Sequence, residues 1–348
     1  MKILINGNMG YIGPIVAKHL REKFPDAKLI GFDTAYFAGC LVNPAEFPER
    51  LLDEQHFGDV RSFPPELLAG VDAVVQLAAI SNDPMGKAFE RPTSEINYRS
   101  ALNIAQAAKA AGVPRFVFAS SCSVYGAGGD QPRTEDDPVN PLTAYAQSKI
   151  DSERELASLA DERFTVTCLR FATACGFSPR LRLDLVLNDF AASALATGKI
   201  VVLSDGTPWR PLIHVRDMAR AIEWAAMRVS QNGHAYLVLN AGSDEWNYQI
   251  RELAEAVCRQ LDNIDFSVNP DAPPDKRSYR VDFSRFREFA PQHQPKETLP
   301  STVEELLNGL RGIGFSDPNF RESRFIRLRV LSDLRGSGKL SENLAWQN

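Results

Sequence analysis

Residues 1–33 restrict the fold of this chain more than any other stretch. KILI (2–5) is an apolar run that stops at NGNMGYIG, and PIVAKHLREK (14–23) then carries apolar side chains at helical spacing. KLIGFD (28–33) is a second apolar run and ends on an acid. Strand, glycine turn, helix and strand make a βαβ unit, whose strands lie parallel in one sheet.

Gly7, Gly10 and Gly13 punctuate the turn. Glycines there allow a tight bend and let backbone N–H groups approach an anion at a helix N-terminus, where the dipole favours a pyrophosphate. Asp33 follows about twenty residues later, at the strand end that holds an adenosine ribose in dinucleotide-binding units. An anionic side chain there repels a 2′-phosphate, which favours NAD over NADP. The spacing departs from G-x-G-x-x-G, so in isolation a plain turn and a solvated acid would read the same way. The rest of the chain decides.

AVVQLAA (73–79), RFVFASS (115–121) and FTVTCLRF (164–171) read as buried strands. EINYRSALNIAQAAKAAG (95–112), closed by Gly112, and AYAQSKIDSERELASLA (144–160) read as helices between them. Near-continuous apolar strands alternating with helices predict an α/β fold: a doubly wound parallel Rossmann sheet covered on both faces. Beyond Gly176 the pattern loosens. LDLVLNDFAASALATG (183–198), VRDMARAIEWAAMR (215–228) and IRELAEAVCRQL (250–261) read as helices, and KIVVLS (199–204) as a strand. NPDAPPDKR (269–277) and a polar C-terminal region follow. The expected division is a dinucleotide domain of 1–175, with 212–242 returning to it, and a smaller mixed α/β substrate lobe of 176–211 and 243–348.

With 348 residues the chain can bury a sizeable core. A net charge of −5 gives no electrostatic reason to expect nucleic acid or an anionic membrane as partner. The five cysteines are odd in number and lack Cys-x-x-Cys or Cys/His metal spacing, so reduced thiols and no metal are expected. The N-terminal apolar run is too short for a signal sequence, and no stretch approaches bilayer-spanning length. The expectation is a soluble cytoplasmic protein.

TAYAQSK (143–149) places Tyr145 four residues before Lys149, so a helix stacks phenol and ammonium on one face. Such pairs are common, and this one gains meaning only in company. GNMGYIG, FASSCSVYG (118–126) and YAQSK together resemble the extended short-chain dehydrogenase/reductase family, in its NAD-dependent epimerase/dehydratase group acting on nucleotide sugars. The likeness runs from residue 1 to about 245 and is less distinct beyond.

The resemblance implies Tyr145 as general acid/base, Lys149 as its electrostatic helper and a ligand of the nicotinamide ribose, and Ser121 as the hydroxyl that positions the reacting oxygen. Ser120 is the near alternative. A phenol near its ordinary pKa of about 10 is a poor base, and neighbouring positive charge favours its phenolate. For the cofactor, the resemblance implies contacts from Gly7, Gly10, Tyr11, Ile12, Gly13, Asp33, Asp59, Val60, Leu77, Ala78, Ala79, Ser81 and Asn97. Ser81 and Asn97 also read as an ordinary loop polar residue and a helix cap.

Where the family's sugar 4,6-dehydratases carry an Asp–Glu pair, this chain has Cys122 and Ser123, which cannot do that acid/base work. Dehydration is thereby disfavoured. Cys122 reads as a packing cysteine, and Ser123 as a substrate contact. Arg210 in WRPLIHVRD matches the family's diphosphate-gripping arginine, a task suited to a two-pronged guanidinium. His214 in that segment corresponds to a structural histidine. Thr173 stands where the family often has Asn; Asn188 is a candidate diphosphate contact, and Arg277 or Arg280 a candidate second phosphate arginine. Arg180 and Arg182 read as a solvated loop.

The first functional expectation is a nucleotide-sugar epimerase, most often at C4, with retained NAD and a transient keto-sugar. The alternatives are a one-way ketoreductase or dehydrogenase on a similar sugar, and a non-catalytic dinucleotide-sensing regulator. Homodimers through the two helices at 95–112 and 144–160 are implied by resemblance.

Overall fold

A computed structural model describes residues 1–129, 131–230, 234–269, 271 and 278–347. The strands are β1 (Lys2–Asn6), β2 (Lys28–Asp33), β3 (Glu54–Phe57), β4 (Ala73–Gln76), β5 (Arg115–Ser121), β6 (Thr165–Phe171), β7 (Thr173–Cys175), β8 (Lys199–Val202), β9 (Trp209–His214), β10 (Tyr236–Ala241), β11 (Asn247–Gln249) and β12 (Asp265–Val268). The helices are α1 (Gly13–Lys23), α2 (Asp83–Ala88), α3 (Glu90–Thr93), α4 (Ser100–Ala110), α5 (Ala144–Leu159), α6 (Val186–Thr197), α7 (Val215–Met227), α8 (Ile250–Cys258), α9 (Ser284–Phe289), α10 (Leu299–Gly312) and α11 (Arg327–Gly336). A π-helical turn, Ser94–Arg99, joins α3 to α4.

Seven strands form one parallel sheet in the order β10-β6-β5-β4-β1-β2-β3. Alternate side chains divide between its two faces, as strand geometry requires. Ile3, Ile5, Val75, Val117 and Leu169 pack under α1 and α7, while Leu4, Val74, Phe116, Phe118 and Val166 pack under α4 and α5. Each such aliphatic side chain removed from water contributes about 1.5–3 kcal/mol. Both faces are therefore apolar, which is why these strands read as continuous hydrophobic runs.

The strand order reverses between β1 and β4, and a crevice opens there at the strands' carboxyl ends. The glycine turn after β1, Ala78 after β4 and Ser121 at the end of β5 converge on it. A smaller lobe covers the crevice. It combines a mixed sheet, β11-β9-β7, a parallel pair, β12-β8, and α6, α8 and α10 around their own apolar cluster.

The C-terminal region, read from sequence as polar, contains three α-helices among its described residues, the short α9 and the longer α10 and α11. α10 buries Leu299, Val303, Leu306, Leu307 and Leu310 on one stripe and starts with Thr298 and Ser301 capping each other's backbone. α11 then leaves the lobe: Leu331, Leu340 and Leu344 join Ile30 and Phe32 in the core on one face of the large sheet. No helix among the described residues is long and apolar enough to cross a membrane. All five cysteines are free thiols.

Candidate active site

One cavity of about 800 Å³ runs from the glycine turn to Tyr145 and on beneath the lobe. Gly7 sits at φ +79°, and its N–H donates to the Phe32 carbonyl at 2.8 Å. A Cβ on Gly7 would lie 2.5 Å from the Ala78 nitrogen, and one on Gly13 2.1 Å from the Asn8 carbonyl oxygen. Glycine is thus required at both positions, by backbone conformation at the first and by close approach at both. The turn opens directly into α1, whose first N–H groups have no side-chain cap and whose first turn carries no acid. This is a cradle for an anion.

Asp33 lies on the cavity wall, its carboxylate accepting from the Met9 N–H at 2.9 Å and the Ala35 N–H at 2.7 Å. Burial pushes its pKa up, against those two donors and the charge of Arg180. Asp59, Val60, Leu77, Ala78, Ala79 and Ser81 share the wall with Gly10, Tyr11 and Ile12. Asp59 also caps the turn at 60–62 and pairs with Arg61 at 2.5 Å. The Tyr11 hydroxyl donates to the Gly176 carbonyl, which ties the turn to the lobe.

Two assigned residues stand behind the wall. The Asn97 amide accepts from the Ile80 N–H at 2.8 Å and donates to the Ile80 carbonyl and the Ser148 hydroxyl. That fully buried side chain clamps the segment after β4 onto α5 rather than facing a cofactor. Asn188, also fully buried, donates to the Tyr11 hydroxyl and the Arg182 carbonyl and accepts from the Gly176 N–H. It supports the turn; it does not face the cavity.

Ser121, Tyr145 and Lys149 meet where β5 ends beside the first turns of α5. Thr143 caps that helix, accepting from the Ala146 N–H at 3.1 Å, while its own hydroxyl donates to Asp83 at 2.7 Å. Tyr145 and Ser121 line the same stretch of the cavity. Burial pushes the phenol up to about 12, with the Ser121 side chain acting against it and Asp83 with it. Lys149 donates to the Ala119 carbonyl at 2.6 Å, and its Nζ is 5.6 Å from the centre of the Tyr145 ring. Burial pulls this ammonium down to about 8, opposed by Glu153. The alternative serine, Ser120, turns into the core and donates to Glu153 at 2.5 Å.

On the opposite side, Ser123, Thr173 and Arg210 line the cavity. The Ser123 hydroxyl is buried, has no partner among the described residues and belongs to a residue of the cavity wall. Arg210 also donates to the Trp209 carbonyl at 2.9 Å. Arg277 lies outside the described residues; Arg280 stacks over Trp209, 5.2 Å from the ring centre. Cys122 is buried with its thiol on the Arg170 carbonyl. His214 is buried between the Arg216 N–H and Glu305, away from the cavity.

Arg180 and Arg182 are not in a solvated loop. They are 1% and 6% exposed, paired with Glu49 at 2.8 Å and Asp184 at 2.7 Å. Arg182 lines the cavity and donates to the Ser81 hydroxyl at 3.0 Å. Sequence reasoning missed it, together with Asp184, Tyr279 and Arg327 on the same wall. The alternation in RLRLD (180–184) was the available signal, since Leu181 and Leu183 anchor in the lobe's core and aim the arginines elsewhere.

The glycine cradle, the acid after β2 and the length of the crevice fit a dinucleotide. The chain's sequence agrees. Residues 3–242 match the model of the NAD dependent epimerase/dehydratase family. A low-salt glycan biosynthesis protein, Agl12, of Haloferax volcanii is 27% identical over 88% of this chain and 99% of its own length. A UDP-glucose 4-epimerase of Corynebacterium glutamicum is 29% identical over 75% of this chain and 80% of its own. Among solved structures, MoeE5 in complex with UDP-glucuronic acid and NAD superposes with a TM-score of 0.76 at 24% identity, covering 90% of this chain and 99% of that one. Fold, crevice and matched sequence lead to one assignment: this chain belongs to the NAD dependent epimerase/dehydratase family.

Proposed function

We propose that the chain is a nucleotide-sugar epimerase that inverts a hydroxyl-bearing carbon, C4 of the sugar, through a transient keto-sugar. The observation that carries this reading is the convergence of Ser121, Tyr145 and Lys149 on one cavity at the carboxyl end of β5, with the Lys149 Nζ 5.6 Å from the centre of the Tyr145 ring. Ser121 holds the sugar oxygen, and Tyr145 takes and returns its proton. Bound NAD supplies the hydride acceptor and a fixed positive charge. Tyr145 needs nearby positive charge to act as a base near neutral pH, and the Lys149 ammonium provides part of it.

Gly7, Gly10, Tyr11, Ile12 and Gly13 would cradle the cofactor's diphosphate, and Asp33, Asp59, Val60, Leu77, Ala78, Ala79 and Ser81 its adenosine side. Arg210 would grip the substrate's diphosphate, with Ser123 and Thr173 touching the sugar. Cys122, buried on a carbonyl, and Ser123 supply neither acid nor base for eliminating water. The division into a cofactor domain and a substrate lobe follows from these roles. The enzyme works in the cytoplasm, where its free thiols stay reduced. It pairs through α4 and α5 as a homodimer, which sedimentation at micromolar concentration tests.

The reaction is tested by incubating UDP-, GDP-, CDP- and dTDP-sugars with the protein and reading products by NMR. Epimer formation with retained NAD and no net redox turnover is expected. Net cofactor consumption would instead identify a one-way ketoreductase.

A further inference from the structure

Three buried arginines lie in or against the 178–183 segment that bonds the glycine turn at Tyr11, and among the described residues only two have carboxylate partners. Arg180 pairs with Glu49, and Arg182 with Asp184. Arg327, the first residue of α11, is 2% exposed and has no ion pair among the described residues. Its Nη2 donates to the Arg180 carbonyl at 2.9 Å, its Cζ lies 4.7 Å from the centre of the Phe37 ring, and its Nη1 is buried without a partner among the described residues. It lines the same cavity as Gly10, Tyr11 and Gly13. Burial disfavours its charge and Arg182 adds to that penalty, while Asp184, which favours the charge, is already paired with Arg182. A buried, unneutralised guanidinium is costly unless an anion arrives to pair with it.

The C-terminal segment holds this side chain at the turn. The Ser178 hydroxyl donates to the Tyr11 carbonyl at 2.7 Å, and the Leu183 N–H to the Phe325 carbonyl at 3.0 Å, so the turn, the 178–183 segment and α11 are one assembly. Past α11 the chain crosses the adenosine side. The Tyr36 hydroxyl bonds the Leu344 carbonyl, the Trp346 indole N–H donates to the Thr34 carbonyl at 2.7 Å, and Arg61 donates to the Asn343 carbonyl at 2.6 Å. Thr34, Tyr36 and Phe37 directly follow Asp33 and share its cavity.

We infer that Arg327 is a cofactor-binding residue, delivered by the C-terminal segment, whose free guanidinium nitrogen pairs with the diphosphate of the dinucleotide opposite the backbone amides of the glycine turn. The inference rests on the family's NAD dependence and not on which sugar reacts. A dinucleotide diphosphate brings the negative charge that the two paired carboxylates do not leave available, and a guanidinium fork suits it. Arg327 and the strap beyond it thereby favour a retained cofactor over an exchanging one.

The test is calorimetric binding to cofactor-stripped protein of NAD, ADP, adenosine and adenosine 2′,5′-bisphosphate, for the wild type, Arg327→Gln and Arg327→Lys. Arg327→Gln is expected to weaken NAD and ADP by about 10–100-fold, the range for a lost charge-assisted bond, and to leave adenosine unchanged. Its melting temperature without ligand should be no lower than wild type, while the shift produced by NAD shrinks. Arg327→Lys should fall between the two. Equal NAD and ADP affinities in wild type and variant overturn the proposal, as does an equal loss for adenosine. Tight binding of the 2′,5′-bisphosphate that Arg327→Gln abolishes also overturns it, reassigning the guanidinium to a 2′-phosphate. If Arg327→Gln does not fold, Arg327→Lys decides by the same ADP-against-adenosine comparison. A wild type that binds no NAD would instead sink the family's cofactor assignment for this chain.

Discussion

The Lys149 Nζ lies 5.6 Å from the centre of the Tyr145 ring, one turn along α5. Burial pushes the phenol up to about 12, and the Ser121 side chain acts against that shift. Replacing Tyr145 by Phe should lower kcat by about 10²–10⁴, the usual worth of a positioned acid/base, with bound NAD retained. Replacing Ser121 by Ala removes the hydroxyl that favours the phenolate, so the ionisation seen in the pH–rate profile should move to higher pH. A profile unchanged in position would argue that the serine does not act through the tyrosine.

Lys149 links stability to pH in a definite direction. Burial penalises the ammonium and pulls its folded pKa down to about 8, below the ordinary 10.5. Between those values the unfolded chain binds more protons, so this residue makes stability rise with pH across about 8 to 10.5. Below that window its cost is complete, up to about 3 kcal/mol. Lys149→Met should therefore raise, or at least preserve, the urea midpoint at pH 7, flatten the rise towards pH 10 and remove turnover. A variant that loses stability at pH 7 and keeps the slope would contradict the assignment.

Glu153 sits beneath this pair. It is 5% exposed, grips Arg170 through contacts of 2.7, 3.0 and 3.2 Å, and accepts from Ser120. Glu153→Gln keeps the volume and leaves Arg170 as an uncompensated buried charge, a loss of about 3–5 kcal/mol in denaturant unfolding. The carboxylate also holds the Lys149 pKa up, so the variant's ammonium should titrate below about 8. NMR of the lysine side chain would report that shift directly.

The strands could be read from sequence because both sheet faces are covered, making each an apolar run with sharp ends; 115–121 is β5 residue for residue. The glycine turn and the Ser121–Tyr145–Lys149 group were legible for a related reason, as each lies at the end of such a run or within a turn of a capped helix. Polarity near the crevice was less informative. Asn97 and Asn188 are polar and adjacent to the site, yet both spend their amides on backbone groups and hydroxyls of the surrounding chain. Sequence cannot tell a side chain that builds a wall from one that faces across it. Arg182 misled in the other direction, because its burial depends on Asp184 and Ser81, the latter 101 residues away in sequence. Arg327 is more than 300 residues from the glycine turn, and only the tertiary path of α11 brings them together.

Asp33 offers the sharpest separation of charge from shape. Its two oxygens accept from Met9 and Ala35, both backbone donors, inside the cavity wall. Asn at this position would keep the volume and turn an NH₂ group towards one of those N–H donors. One buried hydrogen bond is lost and a donor is left unpaired, which should cost about 1–3 kcal/mol in thermal unfolding. The charge that opposes a 2′-phosphate is lost as well, so NAD should bind more weakly while the ratio of NADP to NAD dissociation constants falls by about tenfold, the size of a kcal-scale charge term in a partly solvated cleft. Measuring both constants on Asp33→Asn separates the two effects: an unchanged ratio with weaker NAD would mean that Asp33 shapes the turn without selecting the cofactor.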